Sequence, residues 1–311
     1  MQILTSGSLA YDRIMDFPGK FSDHILPDKI HVLNVSFMVN GLTERCGGTA
    51  GNIAYNLALL GEKPIVLATA GKDFDTYKRR MIQLGLPLDG IREIPEEFTA
   101  GAYITTDMSD NQITGFNPGA MKYPSLFQFD GIQRDDAVAI ISPGNLEDMI
   151  QYSRYYKKAG ISHIVDPGQQ IVSLTGDELE EMITGSSMFV SNDYELEMVL
   201  KTTSLKKRDM LKKTQAIITT LAEKGSVILT SDGELNISAV EPETVIDPTG
   251  AGDAFRAGLI KGLVMKKDLS VCAQMGAVCA SFAVEHYGTQ EHHFTLESFW
   301  KRYEKAFQDY K

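Results

Sequence analysis

Pro248-Thr249-Gly250-Ala251-Gly252-Asp253-Ala254-Phe255 is the stretch that decides how this chain is read. Val245-Ile246-Asp247 comes before it, and Phe255, Leu259, Ile260 and Leu263 follow at helical spacing. The pattern predicts a strand end, a Gly-rich turn and a helix start. Gly250 and Gly252 allow a tight turn that exposes backbone N–H groups at the positive end of a helix, an anion site. Asp253 puts a carboxylate inside that site. Beside bound phosphate such a charge is costly unless it has a task. The natural task is accepting the proton of a hydroxyl that attacks a phosphoryl group. The plainer alternative is an ordinary Asp in the first turn of a helix, since short Gly-rich motifs are weak signals on their own.

Outward from this stretch, the composition narrows the field. The 311 residues suffice for one large α/β domain or two modest ones. Thirty basic against 41 acidic residues give a formal charge of −11, which argues against nucleic-acid and anionic-membrane partners, because both need a basic face. A phosphate ligand needs only a local anion site and stays open. Cys46, Cys272 and Cys279 show neither paired nor metal-type spacing, so a reducing, cytoplasmic setting is expected. No apolar run reaches the length of a membrane span, and no signal-peptide pattern stands at the N-terminus. The adjacent His292-His293 are expected on the solvated surface rather than at a metal.

The first strand is expected over Met1 to Ser8, with Asp12 just past its C-terminal end, the edge where open α/β sheets bind ligands. Residues 31–39 alternate, with Leu33, Val35, Phe37 and Val39 on one face, and predict a strand. Ala100–Thr106 and Gln112–Asn117 predict a hairpin. A helix is expected after Gly47-Gly48, with Asn52 in its first turn, as a cap or as a polar hand on an acceptor. Pro64–Ala70 predicts a strand, and Lys72-Asp73-Phe74 opens a helix reaching Leu84. From residue 136 the rhythm is regular. Strands are expected near 138–142, 163–166, 188–191 and 227–230, with helices near 146–158, 193–200 and 207–217. Two further helices close the chain, over 251–264 and 269–285. That alternation predicts a mainly parallel, doubly wound α/β sheet with helices on both faces. Asn192 and Glu195, three apart at a strand end, can face one side; a helix cap with a surface Glu is the alternative.

Asp247-Pro248-Thr249-Gly250-Ala251-Gly252-Asp253-Ala254-Phe255 resembles the C-terminal signature of the ribokinase-like (phosphofructokinase-B) family of sugar and nucleoside kinases. Gly47-Gly48-Thr49-Ala50-Gly51-Asn52 is similar to its N-terminal Gly-Gly-x-x-x-Asn pattern, and Asn192-Asp193-Tyr194-Glu195 to its Asn-x-x-Glu motif. The three stand in the family's order over nearly the whole chain. The resemblance implies an ATP-dependent kinase acting on a primary hydroxyl, with Asp253 as base and the Gly250, Ala251 and Gly252 amides as anion hole. It implies Mg²⁺ on the ATP phosphates, reached by Asn192 and Glu195 through water. Asp12 would hold two sugar hydroxyls, with Gly47, Gly48 and Asn52 beside the acceptor. Thr230-Ser231-Asp232-Gly233 would be the nucleotide loop, though it lacks the family's further Gly. Thr249 would meet phosphate, and Cys279 would stand on the helix that walls the adenine pocket; Arg256, one turn on from Asp253, is a candidate partner for phosphate or else a surface residue. Asp247, Thr249 and the backbone near Gly288 are where a monovalent cation such as K⁺ would lie.

The family's small sheet would form a discontinuous lid from about 13–46 and 98–118 on one domain spanning 1–311. Lid-to-lid pairing, hence monomer or homodimer, stays open. Ser8–Asp12, the run from Ile30 to Asn40 and Phe116-Asn117-Pro118-Gly119-Ala120 resemble bacterial adenosine kinases more than sugar kinases. Phe37 and Phe116 could stack on a purine, or simply pack the lid. The expectation is adenosine. Another nucleoside, a sugar, or an idle nucleoside-binding sensor on the same fold are the alternatives.

Overall fold

The computed structural model describes residues 1–25, 27–32 and 34–307. Its first half runs β1 (Gln2–Ser6), β2 (Ala10–Asp16), β3 (Leu42–Gly47), α1 (Thr49–Leu59), β4 (Ile65–Gly71), α2 (Asp75–Gln83), β5 (Ile91–Ile94), β6 (Ala100–Thr106) and β7 (Gln112–Asn117). Then come β8 (Ala137–Ile141), α3 (Leu146–Ala159), β9 (Ser162–Val165), α4 (Gly176–Ile183), β10 (Met188–Asn192), α5 (Asp193–Thr203), α6 (Lys207–Met210), β11 (Ala216–Thr220), β12 (Ser226–Thr230) and β13 (Gly233–Ile237). Helices α7 (Ala251–Val264), α8 (Leu269–Ala283) and α9 (Leu296–Phe307) end the chain.

Nine strands form one sheet in the order β13-β12-β11-β10-β9-β8-β1-β4-β5. All neighbouring pairs are parallel except β11–β12 and β12–β13 at one edge, so β12 alone runs against the other strands. The central strands are buried on both faces, and their side chains alternate between two cores. Ala137, Ala139 and Ile141 of β8 pack with Met149, Tyr156, Leu179 and Leu196 of α3, α4 and α5. Val138 and Ile140 pack with Ile53, Leu57, Phe255 and Leu259 of α1 and α7. Chain order reverses between β1 and β8: β4 and β5 add on one side, β9, β10 and β11 on the other. That is the switch point where a crevice opens beyond the strands' C-terminal ends. A second sheet, β3-β2-β6-β7, projects beside it.

Several expectations need correction. Residues 34–39 form no strand, and Leu33 lies outside the described residues. The alternation itself is real, since Val35, Phe37 and Val39 are half-buried while Asn34, Ser36 and Met38 are exposed. What is missing is a ladder partner: β2 is already paired on both sides, by β3 and β6, and residues 34–39 join neither of the sheet's outer strands, β3 and β7. Phe37 packs instead on Phe17 (ring centroids 4.6 Å) and Phe21 (5.6 Å). Asp12 does not follow the first strand as a turn residue; it sits within β2, paired with Arg45 and Ala102. The helix expected over 207–217 stops at Met210, and Ala216–Thr220 is strand β11, paired on both sides. Val245 and Ile246 are exposed and lie outside any strand. His292 is fully buried, its Nε2 2.8 Å from Asn56 Oδ1, whereas His293 is exposed.

Candidate active site

A cavity of about 870 Å³ opens at the switch point. It is lined by the ends of the parallel strands: Ser8 after β1, Pro143 after β8, Asp166 after β9, Asn192 of β10 and Thr220 of β11. The N-terminus of α7 closes its floor with Thr249, Gly250, Ala251, Gly252 and Asp253. Gly250 takes the cap position at φ 80°, and a Cβ there would come within 2.9 Å of the Thr289 side chain. Only glycine meets both conditions at no cost. The Ala251 N–H is turned to the Pro248 carbonyl at 3.2 Å, a turn bond that occupies it. Among the described residues the Gly250 and Gly252 N–H groups have no backbone partner. The helix positive end therefore presents these two rather than all three expected amides.

Asp253 lies in the first turn of α7, and Asn52 Nδ2 donates to its Oδ2 at 2.8 Å. Burial pushes its carboxyl up to about 6 from 3.8; Asp166 and Glu195 add to the rise, while Arg256 and the Asn52 hydrogen bond work against it. Arg256 is neither a surface residue nor a free phosphate ligand. It is 6% exposed, pairs with the buried Asp166, and donates from Nη1 to the Gly252 carbonyl at 2.9 Å. Burial disfavours its charge, but Asp166 outweighs burial and keeps it protonated. It lies on the cavity wall as a fixed cation beside Asp253.

At the small-sheet end, Asp12 faces the cavity, and burial followed by the nearby Asp247 raises its carboxyl. A Cβ on Gly47 would sit 2.7 Å from Asp12 Oδ2, so the missing side chain makes room for that carboxylate. Gly48, at φ 87°, lies so close to the Ser8 carbonyl that a Cβ would be 2.6 Å from it. Phe116, 53% exposed, lines the cavity. Phe37 does not, being spent on Phe17 and Phe21, and Asn117 does not either: its Oδ1 accepts the Gly119 N–H at 3.1 Å and holds a turn.

The other end corrects two more expectations. Because β12 runs antiparallel, Thr230–Gly233 falls at the opposite edge of the sheet, away from the cavity. The turn at the cavity is the one between β11 and β12, where Thr220, Ala222, Glu223 and Gly225 line the wall. Cys279 is fully buried against Asn56, so its neighbours Ala277, Ala280, Ser281 and Val284 form the wall of α8 instead. Helical spacing in α8 was the available signal: residues three or four apart share a face, and Cys279 stands off that face. For the loop, the apolar run Ile217-Ile218 ahead of Thr220, with a Gly at 225, was the signal.

Asn192 and Glu195 both line the cavity and close on one another. Asn192 Oδ1 accepts the Glu195 N–H at 2.7 Å, and Glu195 Oε2 accepts the Asn192 N–H at 2.9 Å. Among the described residues no group of three or more His, Cys, Asp or Glu is placed to hold a metal. The chemistry here fits a cation held mainly by phosphate oxygens and water, with Glu195 in reach through its remaining oxygen. Asp247 accepts the Thr249 N–H at 2.9 Å and the Gly288 N–H at 3.0 Å, and these bonds outweigh burial and lower its carboxyl. Among the described residues no helix is long and apolar enough to cross a membrane.

A helix terminus with two backbone amides unpaired among the described residues, a carboxylate beside them and a crevice at the switch point are the parts that a phosphotransferase of ribokinase-like architecture uses. The model of the pfkB family of carbohydrate kinases matches residues 19–295. A nucleoside kinase of Methanocaldococcus jannaschii is 33% identical over 276 residues, 88% of this chain and 90% of that protein. The ligand-free nucleoside kinase of Burkholderia thailandensis superposes with a TM-score of 0.87 at 38% identity, covering 97% of this chain and 99% of that one. That protein is also described in complex with inosine and with ADP-inosine. The solved Methanocaldococcus jannaschii nucleoside kinase superposes with a TM-score of 0.88 at 30% identity, covering 98% and 99%. The chain belongs to the pfkB family and is an ATP-dependent phosphotransferase.

Proposed function

We propose that this enzyme is a nucleoside kinase that transfers the γ-phosphoryl group of ATP to a nucleoside 5′-hydroxyl, with adenosine the leading acceptor. One observation carries the proposal. The Asp253 carboxylate and the Asp12 carboxylate line the same cavity, one at the helix positive end, the other under the small sheet beside Phe116. A sugar hydroxyl can reach the first while a ribose diol engages the second. Phe116 then offers an aromatic face on which a base can stack. The relatives' names point the same way: nucleoside kinases, one of them described with inosine.

Catalysis in this scheme is positioning and electrostatics. Asp253, ionised above about pH 6, accepts the hydroxyl proton as the oxygen attacks phosphorus. The Gly250 and Gly252 amides, at the helix N-terminus, stabilise charge on the transferring group. Mg²⁺, held by Glu195 and Asn192 through water, would neutralise charge on the phosphates. The adenine of ATP occupies the apolar end between Val245, Ala280 and Val284 and the Ala222–Gly225 turn. The small sheet covers the acceptor and excludes water, the competing acceptor.

The test is ADP release across a panel of adenosine, inosine, guanosine, cytidine, uridine and ribose. The expected result is a kcat/KM for a purine nucleoside that exceeds that for ribose by tenfold or more. A higher value for ribose overturns the nucleoside assignment in favour of a sugar kinase.

A further inference from the structure

Gln290 does not line the cavity and belongs to none of the motifs. It is 1% exposed and stands in the segment between α8 and α9. Its Nε2 donates to Asn52 Oδ1 at 3.0 Å and to Tyr77 Oη at 2.7 Å. Tyr77, also 1% exposed, donates its hydroxyl to the Gly47 carbonyl at 2.8 Å. Asn52, 4% exposed, then donates from Nδ2 to Asp253 Oδ2.

The direction of this chain is dictated from one end. A backbone carbonyl can only accept. The Gly47 carbonyl therefore makes Tyr77 a donor, leaving Tyr77 Oη to accept. Only the NH₂ end of the Gln290 amide can meet that oxygen, so the second N–H of the same nitrogen points at Asn52. Asn52 must answer with its oxygen, which turns its NH₂ to Asp253. An Asn amide has two nearly isosteric orientations; reversed, this one would aim an oxygen at the carboxylate. The reversal would remove a hydrogen bond that favours ionised Asp253 and put a partial negative charge in its place.

We infer that Gln290, with Tyr77 behind it, is a positioning residue that fixes the sense of the Asn52 amide and thereby keeps Asp253 a competent base near neutral pH. The inference rests on Asp253 being the base. It adds that the pH range of activity is set from Gly47, through three buried side chains, rather than at Asp253 alone.

The test is the acid limb of kcat against pH for wild type, Gln290→Met and Tyr77→Phe, with thermal unfolding measured on each. Gln290→Met keeps volume and removes both donors. Its limb should move up by about half to one unit, the equivalent of one hydrogen bond, while the plateau at high pH stays within a few-fold. Tyr77→Phe should move it the same way by less. ATP titrates in this range too, but equally in all variants, so the shift is read against wild type. In an Asn52→Leu background, Gln290→Met should add no further shift, because its path to Asp253 is already cut. A plateau lowered at every pH with an unmoved limb overturns the inference and leaves Gln290 structural, as does an added shift in the Asn52→Leu background. Should Gln290→Met fail to fold, Tyr77→Phe carries the same decision. Full turnover of Asp253→Asn would instead overturn the base assignment itself.

Discussion

Replacing Asp253 by Asn should stabilise the protein and disable it, and the stabilisation should depend on pH. The shape is kept, and Asn52 can still donate to the new amide oxygen, so the helix start should not change. In the folded protein, burial holds the Asp253 carboxyl at about 6, against 3.8 in the unfolded chain. A folded value above the unfolded one means that this group's contribution to stability is full below about pH 4 and is lost as pH rises through 6. The gap corresponds to roughly 3 kcal/mol. That figure is an upper limit, because the carboxylate is half-buried and faces a cavity that water enters. Asparagine carries no such penalty. Denaturant unfolding at pH 8 should therefore show Asp253→Asn about 1–3 kcal/mol more stable than wild type, with the two converging toward pH 4. Steady-state ADP release at pH 8 should show turnover lower by about 10²–10⁴, the usual reach of general-base catalysis. Turnover within a few-fold of wild type would refute the base assignment. A stability difference independent of pH would refute the claim that burial at this position sets the carboxyl's titration.

Arg256→Met should leave the Asp166 carboxylate, 2% exposed, without its counter-charge, at a cost of about 3–5 kcal/mol read by urea unfolding; a loss under 1 kcal/mol would mean the pair is not the buried unit described. Asp12→Ala should weaken nucleoside binding by about 1.5–3 kcal/mol with the KM for ATP little changed, and equal binding of adenosine and 2′-deoxyadenosine by wild type would exclude a diol contact. Phe116→Ala should raise the nucleoside KM about tenfold, from lost stacking and burial, whereas Phe37→Ala should lower thermal stability and leave KM nearly unchanged; the reverse pattern would place the wrong aromatic against the base.

The residues at the α7 turn and at Gly47–Asn52 could be read because their chemistry is local. A glycine at positive φ, a cap and a first-turn carboxylate are properties of a few adjacent residues, and Ala251–Val264 was bounded from its own spacing. The parallel sheet was equally readable, because buried strands leave short apolar runs between helical periods. What failed depended on partners far away in sequence. The alternation of 34–39 describes which side chains are covered, but a strand also needs a ladder partner, and the segment pairs with neither outer strand of the small sheet, β3 or β7. Thr230–Gly233 was a turn after a strand, as expected, yet the direction of β12 relative to β11 decides which end of the sheet that turn occupies, and no residue within it carries that direction. The start of β11, Ala216 and Ile217, reads as the end of a helix because a short apolar run such as Ala216-Ile217-Ile218 looks the same in either state. Gln290 shows the limit most clearly. A single amide 238 positions from Asn52 gains its role only when α1, α2 and the segment after α8 bring three side chains into one hydrogen-bonded line. The motif holds the reactive groups, and the orientation of those groups comes from residues whose identity carries no signal until the fold assembles them.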